Sequence, residues 1–259
     1  MQTYSMKCVA PTVAAILGVD RPAAAAEPAI EPMARELDGA RSAAVLAPDA
    51  LGILPWGLWQ DDMPFLKSLH ARRSILLESI LPSATPMNFA CMLTGAELAV
   101  HGIEAREMPF RCETLFDTVR RAGGRSAGAG FRGYSGELLL ARCADIPGVV
   151  EPDLALPLVE KIIDLIEAQA PRFLIAQFGN PDTVFHKIGP SHPGVVPTLR
   201  ELDKALAKLV PFLTARGTAV ILLADHGQHD VPPSADHPGY GTHGLDCPED
   251  RLVPCTWLR

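Results

Sequence analysis

Short apolar runs alternate with longer amphipathic segments along most of the chain. The apolar runs predict β-strands at 43–48, 73–78, 138–141, 173–178, 218–224 and 252–258. Between them, helical patterns lie at 61–70, 88–98, 113–121, 156–168 and 195–215, and the last is the clearest. Strands that alternate with helices predict an α/β fold, in which helices cover both faces of a mostly parallel sheet.

Length and charge narrow this picture only slightly. A chain of 259 residues with 48% hydrophobic content can build one large core, so we expect a single domain over 1–259. The net charge of −7 gives no electrostatic reason to expect nucleic acid as a scaffold partner, because phosphate backbones attract basic surfaces. A small phosphorylated ligand is still compatible with this charge, because a bound cation makes the local electrostatic potential positive.

Cysteine usage and the apolar runs bear on the compartment. The six cysteines form no CxxC pair, which favours reduced thiols and a cytoplasmic location. No apolar run reaches the roughly 20 residues that a membrane-spanning helix needs, so we expect no membrane partner. Residues 7–26 imitate a signal peptide, but Pro11 and the break at 20–22 argue against one. Oligomeric state is left open by the sequence.

Two tight pairs of metal-competent side chains lie in the second half of the chain. Asp182 and His186 in PDTVFH are four residues apart, the spacing that places two side chains on one face of a helical turn. Asp225 and His226 follow the apolar run 218–224, so we expect them at the end of a buried strand. Ligands bind at that edge of an open α/β sheet. The pairs therefore predict a metallohydrolase.

Other residues extend this chemistry. Asp49 in VLAPDALG follows an apolar run in the same way as Asp225, and His243 in GTHGLD lies beside glycines where a ligand can approach closely. Thr85 in LPSATPMNF precedes a predicted helix, and a hydroxyl at a helix start is well placed to hold an anion. Ser83 is a competing nucleophile in the same segment.

The glycine-rich run RAGGRSAGAGFRG at 121–133 invites comparison with a phosphate-binding loop. It lacks the GxxxxGK[ST] pattern, and no clear strand and helix bracket its glycines. We interpret it instead as a loop or as a strand rich in glycine.

Together these motifs resemble the alkaline phosphatase superfamily, especially its type I phosphodiesterase and nucleotide pyrophosphatase branch. The similarity covers residues 43–106 and 173–258, keeps the family's order, and includes TGAELAVHGI at 94–103. It implies a three-layer alkaline-phosphatase-like core, with 104–170 as a small elaboration on the substrate side. It also implies two metal sites, one formed by Asp49, Thr85, Asp225 and His226 and the other by Asp182, His186 and His243.

The resemblance implies a metal-dependent phosphoric ester hydrolase. Thr85 is the expected nucleophile and forms a covalent phosphoryl or nucleotidyl intermediate that water then releases. The His and Asp ligands fit two zinc ions, although manganese is compatible with the same donors. The small phosphorylated substrate is unidentified. A phosphodiesterase or nucleotide pyrophosphatase is expected, and the alternatives are a phosphomonoesterase or phosphonate hydrolase, or a non-catalytic binding protein.

Two further residues are candidates for substrate contacts. We assign Arg106 and Asn88 to substrate binding. Arg106 stands where the phosphodiesterase branch has an asparagine, and a guanidinium that grips two oxygens suits a dianionic monoester better than a diester. His229 and His237 lie close to the Asp225 pair and are candidates for substrate contacts or for partners of the ligands.

The segment CVAPTVAAILGVDRP at 8–22 resembles a helix that follows the last core strand in many superfamily members. Here it stands near the start of the chain, and the run at 252–258 resembles that last strand. We hypothesise that the segment is permuted and packs near 252–258. The alternative is an ordinary amphipathic helix.

Overall fold

An eight-stranded sheet forms the centre of the computed structural model, which describes residues 2–235 and 238–259. The strand order is β1-β3-β10-β7-β2-β6-β4-β5, and every pair is parallel except those that β10 makes with β3 and β7. The strands are β1 (Thr3–Ser5), β2 (Ser42–Pro48), β3 (Ile75–Glu78), β4 (Ser126–Phe131), β5 (Ile146–Val150), β6 (Phe173–Phe178), β7 (Thr218–Leu223) and β10 (Leu252–Leu258). A separate ribbon pairs β8 (His229–Asp230) with β9 (Gly241–Thr242).

Eleven α-helices are found in the described residues. They are α1 (Val9–Leu17), α2 (Glu31–Glu36), α3 (Ile53–Trp59), α4 (Pro64–His70), α5 (Thr85–Thr94), α6 (Leu98–His101), α7 (Leu115–Arg121), α8 (Ala155–Gln169), α9 (Asn180–Ile188), α10 (Val196–Thr214) and α11 (Pro248–Arg251). Helices α1, α2, α5 and α7 pack together, and α8 and α10 form a second packed group with α4 and α9. The predicted α/β class with a mostly parallel sheet is confirmed.

Most predicted elements appear where the hydrophobic pattern placed them. Strands β6 and β10 have the predicted bounds, and every residue of β6 and β7 is buried, as expected for strands covered on both faces. The predicted strand at 138–141 is wrong, because these residues lie in a π-helical turn, Gly136–Ala141. Its consecutive leucines pack against β4 and β5, so their burial imitates the pattern of a short strand.

The glycine-rich run contains strand β4, which was one of the two interpretations of that sequence. Its glycines allow the π-helical turn to pack directly on the strand. A Cβ at Gly128 would overlap the carbonyl group of Leu140, and a Cβ at Gly130 would lie 2.6 Å from the Cα of Gly136. The glycines therefore serve close packing between two backbone segments.

The N-terminal segment lies beside the part of the sheet that contains β10. Strand β1 pairs with β3, which is the neighbour of β10, and α1 packs against α2, α5 and β2. The indole Nε1 of Trp257 in β10 donates to Glu36 at the end of α2, at 3.2 Å. The permutation, with packing of the segment at 8–22 near 252–258, stays a hypothesis.

Residues 104–170 contribute α7, β4, the π-helical turn, β5 and α8. Strands β4 and β5 extend the central sheet beyond β6, so this region shares the main core. The division into one domain with a substrate-side elaboration stays a prediction. In the described residues, each helix is too short or too polar to cross a membrane.

The contact between β4 and the π-helical turn gives a stability prediction. We expect Gly128→Ala to lower the free energy of unfolding by about 2–3 kcal/mol, because the added Cβ overlaps backbone that cannot rotate away. Urea unfolding monitored by circular dichroism measures the change.

Gly57→Ala is the matched control. Gly57 is an exposed helical residue, and a Cβ there meets no atom within 4 Å. This substitution should raise stability by about 0.5–1 kcal/mol, because alanine loses less conformational freedom in a helix. Equal effects of the two substitutions would contradict the packing argument.

Candidate metal centre

Three neighbouring parallel strands end at the same edge of the sheet, and each is followed by predicted ligands. Asp49 comes directly after β2, Asp225 and His226 come just after β7, and α9 begins two residues after the end of β6. Strand β2 lies between β6 and β7, so the three segments converge. This is the edge at which an open parallel sheet binds ligands.

Four predicted ligands form what we call the inner group: Asp49, Thr85, Asp225 and His226. The two aspartates and the histidine are almost completely buried. The Nε2 atom of His226 is central to the group, at 3.5 Å from Asp49 Oδ1 and 3.3 Å from Asp225 Oδ2. Helix α5 begins at Thr85, whose Oγ1 lies 3.0 Å from the same nitrogen.

Three predicted ligands form the outer group: Asp182, His186 and His243. One ligand atom from each lies within 4.8 Å of the others. Asp182 Oδ1 lies 3.2 Å from Nε2 of His186 and 3.7 Å from Nε2 of His243. Asp182 and His186 share one face of α9, as their spacing predicted, whereas His243 follows β9.

The two groups are adjacent. The rings of His226 in the inner group and His243 in the outer group stack, with centroids 4.0 Å apart and planes inclined by 28°. The rings of His186 and His243 are 5.0 Å apart. The structure thus brings all seven predicted metal ligands into two neighbouring groups.

Each histidine of the two groups is held by a backbone carbonyl oxygen. The Nδ1 atoms lie 2.9 Å from Gly227 O for His226, 3.0 Å from Gly241 O for His186 and 2.8 Å from Ser83 O for His243. A carbonyl oxygen only accepts, so a neutral imidazole bonded to it carries its proton on Nδ1. The Nε2 lone pairs then face the carboxylates. Histidines that bind metals are commonly oriented by such contacts.

The carboxylates present atoms that the protein does not satisfy. Asp49 Oδ1, Asp182 Oδ1 and Asp225 Oδ2 are buried and have no hydrogen-bond partner within the described part of the chain. Each of these oxygens faces an Nε2 lone pair, so acceptors oppose acceptors. Buried polar atoms are normally paired, and a cation between them would satisfy both sides. The residues of both groups therefore fit divalent metal ions.

Electrostatic shifts in the inner group follow from this burial. Burial raises the pKa of Asp225 to about 7. Burial, together with the charges of Asp225 and Asp182, raises the pKa of Asp49 well above its usual range. Desolvation disfavours the charged form of a carboxyl group, and neighbouring negative charge adds to that cost. A bound cation would reverse both effects.

The outer group shows opposite shifts on its members. Burial works against ionisation of Asp182, but His186, whose Nε2 would donate to Asp182 Oδ1 in its protonated form, holds the pKa of Asp182 below the usual range. Asp182 in turn raises the pKa of His186, because its carboxylate would accept from that protonated nitrogen. Burial, with a smaller effect of His226, lowers the pKa of His243 to about 3. His243 is therefore neutral at pH 7, which is the state that can bind a metal.

A strained residue helps to orient the inner group. Ala50 has a φ of 61°, in the left-handed region that residues with a Cβ rarely adopt. In this conformation its backbone N–H points towards Asp225 Oδ1, at 3.3 Å. Strain of this kind is often found at functional sites.

The predicted substrate-binding residues differ in their surroundings. Asn88 is completely buried, and its side chain accepts from Ile80 N at 2.8 Å and donates to Ala84 O at 3.2 Å. These contacts close the loop before Thr85, and the assignment of Asn88 to substrate binding stays a prediction. Arg106 donates to Gly133 O at 2.6 Å. Gly133 follows β4, so this contact lies at the carboxyl edge of the sheet.

The other candidates are accounted for by local contacts. Ser83, the competing nucleophile, is buried and hydrogen-bonded to Ser79 Oγ at 2.7 Å. His229 is bonded through Nδ1 to the buried Asp250, at 2.7 Å, and Cys247 lies near this pair. His237 lies outside the described residues.

Sequence reasoning missed Gln177, whose Nε2 donates to Asp49 Oδ2. A polar residue within the apolar run FLIAQF was the signal that could have revealed it.

Comparison with known proteins supports the similarity inferred from the motifs. Residues 152–243 match the model of the type I phosphodiesterase/nucleotide pyrophosphatase family. A 2,3-bisphosphoglycerate-independent phosphoglycerate mutase from Herpetosiphon aurantiacus is 34% identical over 101 residues. That match covers 37% of this chain and only 16% of the mutase.

Solved structures show the same fold. Phosphonoacetate hydrolase from Sinorhizobium meliloti, in complex with phosphonoformate, superposes with a TM-score of 0.58 at 23% identity. The match covers 76% of this chain and 59% of the hydrolase. Murine ectonucleotide pyrophosphatase/phosphodiesterase 5 gives a TM-score of 0.59 at 18% identity, with 75% of this chain and 59% of the murine chain covered.

These matches concern the fold and one segment of the chain. The chain has an α/β fold like that of phosphonoacetate hydrolase and of murine ectonucleotide pyrophosphatase/phosphodiesterase 5, and its segment 152–243 is similar to type I phosphodiesterases and nucleotide pyrophosphatases. The resemblance drawn from the sequence motifs is therefore confirmed.

The raised pKa of Asp225 leads to a pH prediction for the metal-free protein. Because the folded pKa, about 7, lies above the unfolded value near 4, folding loses stability as pH rises between these values. Asp225→Asn removes this loss while it keeps an oxygen for the N–H of Ala50. We expect the variant to gain stability relative to the parent by about 1–3 kcal/mol between pH 5 and pH 8.

Urea unfolding in the presence of a chelator, at both pH values, measures this difference. The change in the variant-minus-parent difference between pH 5 and pH 8 cancels the constant cost of burying an amide. A difference in stability that does not change with pH would show that Asp225 is not protonated at pH 5.

Proposed function

We propose that this protein is a metal-dependent phosphohydrolase in which two divalent ions and the Thr85 hydroxyl act on a small phosphorylated substrate. The observation that supports this proposal most strongly is that the inner and outer groups lie next to each other. In the inner group, Thr85 Oγ1 lies 3.0 Å from Nε2 of His226. A phosphodiesterase or nucleotide pyrophosphatase activity is the primary assignment, in agreement with the family match over 152–243.

The donor sets suggest which ions fit. The inner group offers two carboxylate oxygens, one imidazole nitrogen and one hydroxyl oxygen, and the outer group offers one carboxylate and two imidazoles. Zinc favours such nitrogen and oxygen donors in four-coordinate sites, and manganese accepts them as well. Held by these residues, such ions would supply charge stabilisation for the attacking and leaving oxygens of an in-line displacement.

Thr85 is positioned for nucleophilic attack. Its Oγ lies at the amino end of the ten-residue helix α5, where the backbone N–H groups and the helix dipole favour an anionic phosphoryl group. In the first step, Oγ gives its proton to solvent and bonds to phosphorus, while the bond to the leaving oxygen breaks and that oxygen takes up a proton from solvent. In the second step, water attacks the same phosphorus and the Thr85 oxygen leaves as the hydroxyl is restored.

The solved relatives support these roles by analogy. Murine ectonucleotide pyrophosphatase/phosphodiesterase 5 has been solved as an inactive threonine-to-alanine variant in complex with AMP. Phosphonoacetate hydrolase has been solved with phosphonoformate and with phosphonoacetate. Both kinds of ligand carry a phosphoryl or phosphonyl group that a metal site and a hydroxyl can address.

A second candidate is a phosphomonoesterase or phosphonate hydrolase with the same site. Arg106 is the observation that favours it, because its guanidinium lies against the loop after β4 at the carboxyl edge of the sheet. A guanidinium binds two oxygens of a dianionic group and gains less from a singly charged diester.

The nucleophile and the metals can be tested together. We expect Thr85→Ala to lower kcat for bis-nitrophenyl phosphate by at least about 1,000-fold, because no other hydroxyl takes the place of the nucleophile. Thr85→Ser keeps the hydroxyl and should retain a measurable fraction of the activity. Steady-state assays with zinc or manganese, and metal analysis of the purified protein, supply the measurements.

Metal removal is the control for this assignment. Dialysis against a chelator should abolish turnover, and added zinc or manganese should restore it in the parent but not in Thr85→Ala. If Thr85→Ala kept full activity, the assignment of Thr85 as the nucleophile would be wrong. A parent protein that binds metal but hydrolyses neither bis-nitrophenyl phosphate nor nitrophenyl phosphate would favour a non-catalytic binding role.

Arg106 should separate the two candidate functions. If the natural substrate is a monoester, Arg106→Ala should lower kcat/KM for nitrophenyl phosphate by about 10- to 100-fold, since a charge-assisted bidentate contact is lost. The diester bis-nitrophenyl phosphate should change by less than about 3-fold. Arg106→Lys is the matched variant, because it keeps the charge but loses the planar fork. If Arg106→Ala lowered kcat/KM equally for both substrates, Arg106 would have no role in selecting between a monoester and a diester.

A further inference from the structure

Gln177 connects the inner group to the backbone of the π-helical turn. It lies in β6, and both it and Asp49 are buried. Its Nε2 donates to Asp49 Oδ2, and its Oε1 accepts from Gly136 N at the start of the turn. Both polar ends of the amide are therefore occupied.

The second of these contacts fixes the direction of the amide. The backbone N–H of Gly136 can only donate, so the atom of Gln177 that faces it must be the oxygen. The NH₂ group must then face Asp49. This orientation makes Gln177 a donor to Asp49 Oδ2 whatever the protonation of the neighbouring residues.

Asp49 is left with one oxygen for a ligand. Oδ2 is occupied by the amide of Gln177, whereas Oδ1 is buried and has no hydrogen-bond partner in the described residues. Asp225 is constrained in the same way, because Oδ1 accepts from Ala50 N at 3.3 Å and Oδ2 has no such partner there. With Thr85 Oγ1 and His226 Nε2, the inner group presents four donor atoms from protein side chains.

We propose that Gln177 is a positioning residue that restricts Asp49 to ligation through a single oxygen and thereby makes the inner group selective for a four-coordinate ion. The inference rests on the proposed function, since it requires a metal at the inner group. Zinc is commonly bound by four donors, whereas manganese prefers six oxygen-rich ligands. A carboxylate that binds through both of its oxygens helps to supply this larger number of ligands. If Oδ2 of Asp49 is freed to bind metal, the ratio of zinc affinity to manganese affinity at the inner group should therefore fall.

The glycine-rich sequence of β4 is part of this arrangement. A Cβ at Gly136 would lie 2.5 Å from Gly130 Cα and 3.2 Å from Gln177 Oε1. Glycine at both positions lets the turn approach β4 closely enough for its N–H to reach Gln177. The run that resembled a phosphate-binding loop thus contributes to the metal centre through Gln177.

The test replaces the amide by a side chain of similar size that cannot donate. Gln177→Met is prepared in the full chain, together with Asp182→Asn, which disables the outer group so that only the inner group is measured. Zinc and manganese affinities are determined by competition with a chromophoric chelator, and manganese binding is checked by electron paramagnetic resonance.

We expect Gln177→Met to weaken zinc binding by about 10- to 100-fold, the usual cost of losing a residue that orients a metal ligand. Manganese affinity should fall by less than about 3-fold, so the zinc-to-manganese ratio should decrease at least about 3-fold. An unchanged ratio would overturn the role of Gln177. If Asp182→Asn alone binds neither ion, the inner metal site itself fails, and with it the proposed function.

Two further variants separate positioning from general destabilisation. Thr12→Val removes a different buried hydrogen bond, in which Thr12 Oγ1 accepts from Ile30 N at 2.8 Å, and should leave the affinity ratio unchanged. Gln177→Leu is a second buried side chain that cannot donate, and it should shift the ratio in the same direction as Gln177→Met. Thermal unfolding in chelator confirms that each variant is folded before metal is added. A shift in the Thr12→Val ratio equal to that of Gln177→Met would overturn the inference.

Discussion

Three carboxylates with buried oxygens at one edge of the sheet are the feature on which the arrangement of the site depends. Within the described residues, Asp49, Asp182 and Asp225 each place an oxygen without a hydrogen-bond partner opposite a histidine nitrogen that also carries a lone pair. The cost of burying charge, together with the negative charge of neighbouring carboxylates, raises the pKa of Asp49 and Asp225. A cation at the site would turn each unfavourable contact into a ligand bond.

The surrounding structure holds these groups in place through backbone contacts. Carbonyl oxygens orient the three histidines, and the strained Ala50 and the amide of Gln177 each occupy one carboxylate oxygen. The loops that follow β2 and β7 also touch directly, since a Cβ at Gly227 would overlap the carbonyl oxygen of Glu249 and lie 3.1 Å from Gly52 Cα. Because these contacts involve backbone atoms, a ligand in the site meets donors with little freedom to rearrange.

Particular elements show why some features could be predicted from the sequence and others could not. Strands β6 and β10 were predicted with their observed bounds because both are continuous apolar runs. The run 138–141 is equally apolar, but it is wound into a π-helical turn against β4, and a short apolar run has no period that separates the two. Asn88 was assigned to substrate binding from the sequence, and the structure adds that its amide bonds to the loop before α5. Hydrogen-bond partners eight positions away along the chain leave no signal in local sequence.

The sequence by itself determined the α/β class, the seven candidate metal ligands, and the position of the strand ends that carry several of them. These features follow from local patterns: apolar runs predict buried strands, a four-residue spacing places Asp182 and His186 on one helical face, and motif order relates the segments to a family. Only the tertiary structure decided how close the two groups of candidate ligands lie, how each histidine is oriented, and which carboxylate oxygens have no hydrogen-bond partner in the described part of the chain. These properties depend on contacts such as Gln177 with Asp49, between residues 128 positions apart, which only the packed sheet brings together.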